Sequence, residues 1–286
     1  MFRKVVKRML KMRQFLTYGL AAIVSVSLLS SPSVAQSTSG IAIEVPDINN
    51  FVGGGVGLAP DYFGSDDTTF AAAPVARIQI GKGERYAKLT ITELTVNVLD
   101  NKTWSFGPLL NYRPGRDDNV DDAVVSRMRE IEDTLEVGVF GSWTWIGKSD
   151  PRSRLSVSLS AKQDIADEHG GFLADASVRA FYPISRSFVL SYGAGLTYGS
   201  SDYMDTYFGV DAADAAVTGL RPFSAESGIR DIRLSLMAIQ SLSINWHLAA
   251  GVVYTRLLGD AEDSPVVSDR GDENMFILGA GVVYAW

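Results

Sequence analysis

The 286-residue chain has no cysteine, only two histidines and, after its first 30 residues, no second long apolar run. The missing thiols exclude a disulfide scaffold, a zinc ribbon, a thiol nucleophile and an iron–sulfur cluster. Ten prolines and an apolar fraction of 46% exclude a collagen-like chain and a disordered acidic tail. What remains is an ordinary folding composition with a mean hydropathy of +0.08, which suits either a water-soluble protein or a membrane barrel. Composition does not separate the two.

The first 35 residues have the pattern of a cleaved secretory signal. Arg3, Lys4, Lys7, Arg8, Lys11 and Arg13 precede an apolar or small stretch over 15–30, and Ser33 and Ala35 supply the small residues that a signal peptidase reads. Thr17, Ser25, Ser27 and Ser30 dilute that stretch below the roughly 20 apolar residues of a membrane span. Cleavage is expected after Ala35, followed by an N-terminal periplasmic segment over 36–48 and a barrel over 49–286. Removing the six basic residues of the signal leaves 20 basic against 33 acidic residues, a net charge of −13. Such a surface repels nucleic acid, and nucleic-acid binding is set aside. A secreted chain without cysteine points to the Gram-negative envelope.

From residue 49 onward the dominant pattern is alternation, which sends successive side chains to opposite faces of a strand. Leu155, Val157, Leu159 and Ala161 share one face, and Ser156, Ser158, Ser160 and Lys162 the other. The same pattern recurs in Leu135, Val137, Val139, Trp143 and Trp145, and in Phe172, Ala174, Ala176, Val178, Ala180 and Tyr182. Twelve runs are expected, near 49–58, 69–81, 85–92, 94–100, 103–113, 133–146, 153–165, 171–183, 187–199, 228–240, 244–257 and 273–286. Ten is the alternative, because the third and fourth are weak. Several runs reach the ~9 to 11 residues that a tilted strand needs to cross a bilayer, beyond the ~5 to 6 usual in soluble domains.

The links between runs alternate in length. Short links follow even runs, at 81–84, 100–102, 147–152, 183–186 and 240–243, whereas long acidic links follow odd runs, at 59–68, 114–132, 200–227 and 258–272. That asymmetry is the one of outer-membrane barrels, with tight periplasmic turns and longer outer loops. Aromatic residues near run ends, among them Trp143, Trp145, Tyr182, Phe188, Tyr198, Trp246 and Tyr254, match the interfacial girdles of such barrels. The expected fold is therefore all-β: a transmembrane antiparallel up-and-down barrel in the outer membrane, in contact with lipid and lipopolysaccharide. Its last run alternates Phe276, Leu278, Ala280, Val282, Tyr284 and Trp286. Ending on Tyr284 and Trp286, it resembles the C-terminal signal read by the barrel-assembly machinery, with Trp where Phe is usual.

Several stretches together resemble the MltA-interacting protein (MipA)/OmpV family of outer-membrane proteins. They are Gly53 to Gly55 with Pro60, Asp61, Tyr62, Phe63, Gly64, Ser65 and Asp66; the run from Tyr203 through Asp205, Tyr207 and Gly209 to Val210; Ser227 to Asp231; and Arg256 to Asp260, including Gly259, with Asp263, Ser264, Pro265, Val266 and Val267. The likeness covers nearly the whole chain after residue 51, apart from 114–133, which is unlike the family's pattern. It implies a non-enzymatic scaffold or binding protein linked to murein turnover, joining a lytic transglycosylase to a murein synthase. The alternative from the residues themselves is a small-solute diffusion pore, with Asp175, Arg179, Asp231 and Arg233 as charges on the lumen face.

Other chemistry has weaker support. His247 falls on the lumen face among serines, but one imidazole without a placed acid does not make a hydrolase. His169, near Asp164, Asp167 and Glu168, is expected among hydrated loop charges. The acid groups at 117–122 and 260–263 lack the glycine register of an EF-hand, so no metal or cofactor is expected. Gly53, Gly54, Gly55 and Gly57 lack the helix of a dinucleotide loop and are expected to mark tight bends or a narrow lumen. The segment from Tyr203 to Val210 is read as a loop folded back on aromatic anchors, with a ligand-binding or lumen-plugging segment as the other reading.

Overall fold

The structure, a computed structural model, describes residues 46–286. The expected signal at 1–35 and most of the segment over 36–48 lie outside the described residues. Twelve antiparallel strands follow one another around a closed barrel: β1 (Phe51–Pro60), β2 (Thr68–Gln79), β3 (Tyr86–Thr90), β4 (Glu93–Asn97), β5 (Trp104–Arg113), β6 (Thr134–Ile146), β7 (Arg154–Asp164), β8 (Phe172–Pro183), β9 (Phe188–Gly199), β10 (Gly228–Ser241), β11 (Trp246–Leu257) and β12 (Asn274–Ala285). The twelve-strand expectation holds, and the ten-strand alternative does not. β3 and β4 are weak in sequence because each has only five residues, joined through Ile91, whose φ of 57° makes a tight turn that no turn-type residue announces.

The alternation sorts side chains as a bilayer requires. Outward residues such as Val56, Phe70, Leu159, Leu234 and Leu278 are exposed. In water this band would far exceed the few hundred Å² of apolar patch that a soluble monomer carries. In lipid it is the low-energy arrangement, and barrel closure leaves no sheet edge with unpaired backbone groups. No helix of the described residues is long and apolar enough to cross a membrane. The strands cross instead. Introducing a charge at mid-strand on this face, as in Leu159→Arg, is expected to cost about 2–4 kcal/mol. The unfolding midpoint of the refolded barrel in urea would report it.

Rings gather at both ends of the outer face. Trp246 packs on Tyr284 at 5.0 Å, and Tyr284 stacks on Trp286 at 6.2 Å; at the other end Tyr254 meets Phe276 at 5.1 Å and Phe172 meets Tyr198 at 5.9 Å. The seam between β1 and β12 pairs Gly55 with Gly281 and Gly57 with Gly279. A Cβ on Gly53 would lie 2.4 Å from the Val282 carbonyl oxygen, and one on Gly57 2.3 Å from that of Leu278. Only glycine allows the strands to meet so closely, which accounts for the run of glycines in β1.

Three sets of inward side chains form the interior. At the end with short turns, Phe51, Val75, Phe181, Val189, Ile239, Ala249 and Val283 form an apolar cluster. At the end with long loops, strand residues and loop residues pack into two further clusters. Between them, Ser142, Ser156, Ser158, Ser177, Ser235 and the seam glycines face the lumen half-exposed. The barrel is therefore closed over its outer mouth and hollow below.

Candidate functional site

The long loops build a cap. After β9 the chain enters helix α1 (Ser201–Phe208), whose Tyr203, Met204, Tyr207 and Phe208 are buried. A helix turn brings residues four apart to one face, so this short segment drives four large side chains into the barrel mouth. In place of the expected loop folded back on aromatic anchors the segment is a helix, and its buried aromatics fill the mouth as the lumen-plugging alternative has it. A second helix, α2 (Ala212–Thr218), is capped by Asp211, which accepts from the Asp214 N–H at 2.8 Å. The loop after β11 contributes two single turns, α3 (Asp260–Asp263) and α4 (Pro265–Ser268).

The residues singled out in sequence converge here from three separate loops. Pro60 ends β1 and leads into Tyr62, whose hydroxyl donates to the Arg270 carbonyl at 3.4 Å. Gly64, at φ 98°, donates its N–H to the Met275 sulfur at 3.1 Å, and its carbonyl accepts from Asp272. A side chain at Gly64 would meet Val267 at 2.6 Å. Asp205 holds the plug to the chain behind it by accepting from the Ala225 N–H at 3.0 Å, while Gly209, where a Cβ would strike the Asp205 carbonyl, closes α1. Gly259 turns at φ 55° into Asp260, which accepts from the Glu226 N–H at 2.6 Å. Ser264, fully buried, donates to the Phe208 carbonyl at 2.6 Å and caps α4, whose first residue is Pro265. Tyr284 and Trp286 do not join this group; they lie on the outer face at the opposite end.

The segment 114–133, whose role was open, is part of the cap. Arg116 pairs with Ile131 by reciprocal backbone bonds of 2.8 Å, and Val120, Val125 and Met128 pack with Tyr62, Val210 and Val266. Burial pushes the Arg116 guanidinium down to about 10, which leaves it protonated at neutral pH. Asp122 ties this segment to the loop after β11 through an ion pair with Arg270. Burial pushes the Asp122 carboxyl up, but Arg270 and the N–H groups of Val124 and Val125 outweigh it and hold the carboxyl below the usual range. A carboxyl depressed on folding contributes stability that is present above its unfolded value of about 3.9 and is lost as pH falls through the folded value. Protection from hydrogen exchange over 117–129, taken relative to the intrinsic rate at each pH, is expected to fall below about pH 4, and Asp122→Asn to show the reduced protection already at pH 6.

Beneath the plug lies a layer of buried charge. Glu136 accepts from Arg113 Nε at 2.8 Å, from Asn111 at 2.8 Å and faces His169 Nε2 at 3.2 Å. Arg113 in turn lies under the rings of Tyr203 and Tyr207, at 5.2 and 5.8 Å. On the other side Arg230 pairs with Asp231 at 2.7 Å, covers the Phe63 ring at 4.2 Å and donates to the Tyr203 hydroxyl. Arg233 bridges Asp231 at 2.8 Å and Asp175 at 3.1 Å, and Lys162 spans from β7 to Glu93 on β4 at 3.1 Å. A β-bulge between Ile229 and Asp231 lets adjacent residues Arg230 and Asp231 both point inward, which strict alternation forbids.

Four basic and four acidic side chains thus neutralise one another across the lumen. Asp175, Asp231 and Arg233, read in sequence as lumen charges, bind each other. His169, expected among hydrated loop charges, is buried against Glu136 and the Tyr203 ring at 5.1 Å. Arg113 and Glu136 were not offered as site residues, Lys162 was placed only on the polar face of its strand and Arg230 only in the family stretch 227–231. For the first three the signal was a charge at an inward position of an otherwise apolar strand, whereas the bulge hides Arg230 from that pattern. His247 lies far from this layer, near the short turns, sharing a hydrogen bond of 2.9 Å with Ser241.

The fold and cap define a class: an outer-membrane β-barrel with its long-loop mouth closed. The profile described as MltA-interacting protein MipA matches residues 52–286, and the chain belongs to that family. It is 32% identical over 130 residues to outer membrane protein Omp26La of Vibrio anguillarum, covering 45% of this chain and 48% of that one. It is 28% identical over 129 residues to outer membrane protein OmpV of Vibrio cholerae, again covering 45% and 48%. The matches span about half the length of these relatives. Among solved structures, an outer membrane channel from Pseudomonas putida F1 superposes with a TM-score of 0.47 at 10% identity, over 86% of this chain and 99% of that one. The chain is an outer-membrane protein, with its long loops outward and its short turns toward the periplasm.

Proposed function

We propose that this protein acts by binding rather than by catalysis or open diffusion, as a scaffold at the periplasmic face for enzymes that cut and build murein. The observation that carries the reading is the closed lumen: a plug of buried aromatics rests on a neutralised layer of charge. The family's description as MltA-interacting protein supplies the partner class. The surface offered to such partners consists of the periplasmic turns at 80–85, 98–103, 147–153, 184–187 and 242–245. Co-purification of the intact protein with a lytic transglycosylase and a murein synthase tests this. Binding should survive removal of the outer cap and weaken when 147–153 is replaced by a glycine–serine turn; failure to capture either enzyme would overturn it.

A second reading, a small-solute pore whose cap is displaced in use, draws on the half-exposed serine and glycine lining below the cap. The acidic outer loops fit a surface beside lipopolysaccharide, bridged by divalent ions. Tyr284 and Trp286 fit the role of an assembly signal, since both rings are exposed on the lipid side at the end of the last strand. Trp286→Ala is expected to lower the assembled fraction several-fold, read as the heat-modifiable band in cold gels, with little change in the unfolding midpoint of the barrel that does assemble.

A further inference from the structure

Below the neutralised layer the lumen becomes positive. In the half nearer the periplasm, the register places four basic residues on the inner face: Arg77 and Lys88, directly opposite one another on β2 and β3, and Arg154 and Arg179 on β7 and β8. Among the described residues no strand aspartate or glutamate faces this half. The inward acids Glu93, Glu136, Asp164, Asp175 and Asp231 all belong to the outer half, where they are bonded as ion pairs or loop anchors. Like charges directly opposite on neighbouring strands repel. Here Arg77 Nε is in addition buried without a hydrogen-bond partner, although Nη1 donates to the Ile48 carbonyl at 3.2 Å and the guanidinium lies 4.2 Å over the Tyr86 ring. A buried donor left open is costly, which marks a place for an acceptor.

One acid does reach this space, from outside the strands. Asp47, four residues before β1, pairs with Arg154 at 3.3 Å on β7, the far wall of the barrel from β1. The segment crosses the periplasmic mouth, with Ile48 packed on the apolar cluster and the Asn50 side chain accepting from the Gln79 N–H at 2.7 Å. We propose that the periplasmic half of the lumen is a binding site for a small carboxylate- or phosphate-bearing anion, and that Asp47 occupies one end of it as a tethered stand-in. The hydroxyls of Ser142, Thr144, Ser156 and Ser158 line the wall beside the cations and offer further donors. The outer end is sealed, so the site takes up its anion from the periplasm and returns it there. Walls of low dielectric concentrate the field of the four cations, although the chain as a whole is acidic.

The absence of cysteine makes the test direct. Ser156→Cys, cross-strand from Arg179, is reacted in the refolded full chain with an anionic and with a cationic methanethiosulfonate reagent, each rate normalised to Ser149→Cys on an exposed turn. At low ionic strength the anionic reagent should be favoured by about tenfold or more. The preference should shrink in 0.5 M salt and in Lys88→Gln, grow in Asp47→Asn, and be suppressed by millimolar citrate. Arg77→Gln should shrink the preference in the same way, and Lys88→Gln alone keeps the test valid should that variant fail to fold. Equal rates for the two reagents, a preference for the cation, no response to Lys88→Gln or citrate, or no reaction at all in Asp47→Asn would overturn the proposal.

Discussion

Glu136→Ala is expected to destabilise the barrel by about 3–5 kcal/mol, among the largest effects of any single substitution in the interior. The carboxylate is fully buried and is the shared acceptor of Arg113, Asn111 and His169. Removing it leaves the Arg113 guanidinium charged, dehydrated and without its carboxylate beneath two tyrosine rings. The penalty is that of the stranded cation more than of the lost bond, because two charges brought together from water gain little net energy. The paired replacement Arg113→Met with Glu136→Leu should therefore recover most of the loss. Asp231→Ala should behave like Glu136→Ala, since it strands Arg230 and Arg233 together. Urea unfolding of the refolded barrels measures all three variants. A loss under about 1 kcal/mol for Glu136→Ala would mean that water reaches the layer and that the lumen is open.

Replacing 201–226 with a short glycine–serine linker is expected to convert a closed barrel into a permeable one. That segment holds Tyr203, Met204, Tyr207 and Phe208, each contributing about 1.5–3 kcal/mol by burial. It also holds the Phe208 carbonyl that Ser264 binds and the Tyr203 hydroxyl that Arg230 binds. Without it the loops after β1, β5 and β11 lose their common packing partner, and Arg113 and Arg230 become hydrated. Swelling of liposomes in a monosaccharide is expected to rise at least about tenfold over the intact protein, in keeping with the loss of a steric block rather than a change in charge. The strands should persist, because β9 and β10 are paired along their full length independently of the cap. Unchanged swelling would place the barrier in the charged layer or in the apolar cluster near the periplasm.

The wall of the barrel was legible because strand periodicity is local. β7 was expected at 153–165 and runs Arg154–Asp164; β9 was expected at 187–199 and runs Phe188–Gly199. Each residue's side is fixed by its neighbours two positions away, and lipid on one side makes the pattern strict. The cap was legible only in pieces. Most of its residues drew attention as family motifs, but their meeting depends on loops whose bonded residues lie up to 211 positions apart. Helix α1 was missed because eight residues give barely two turns, too few for a 3.6 period to emerge beside twelve strands of period two. The partners in the charged layer were illegible for a geometric reason. Strand tilt and stagger decide which inward residues face each other, so nothing near Lys162 in the chain indicates that it reaches Glu93. The bulge that turns Arg230 inward likewise breaks the pattern used to read it.

Closure of the lumen is the claim on which the rest depends, and single-channel recording of the intact protein in a planar bilayer tests it most directly. A barrel sealed by Tyr203, Tyr207 and the layer beneath them should insert without conductance steps at moderate voltage in neutral buffer. Stable open steps from the intact chain would contradict the account and return the protein to the class of diffusion pores.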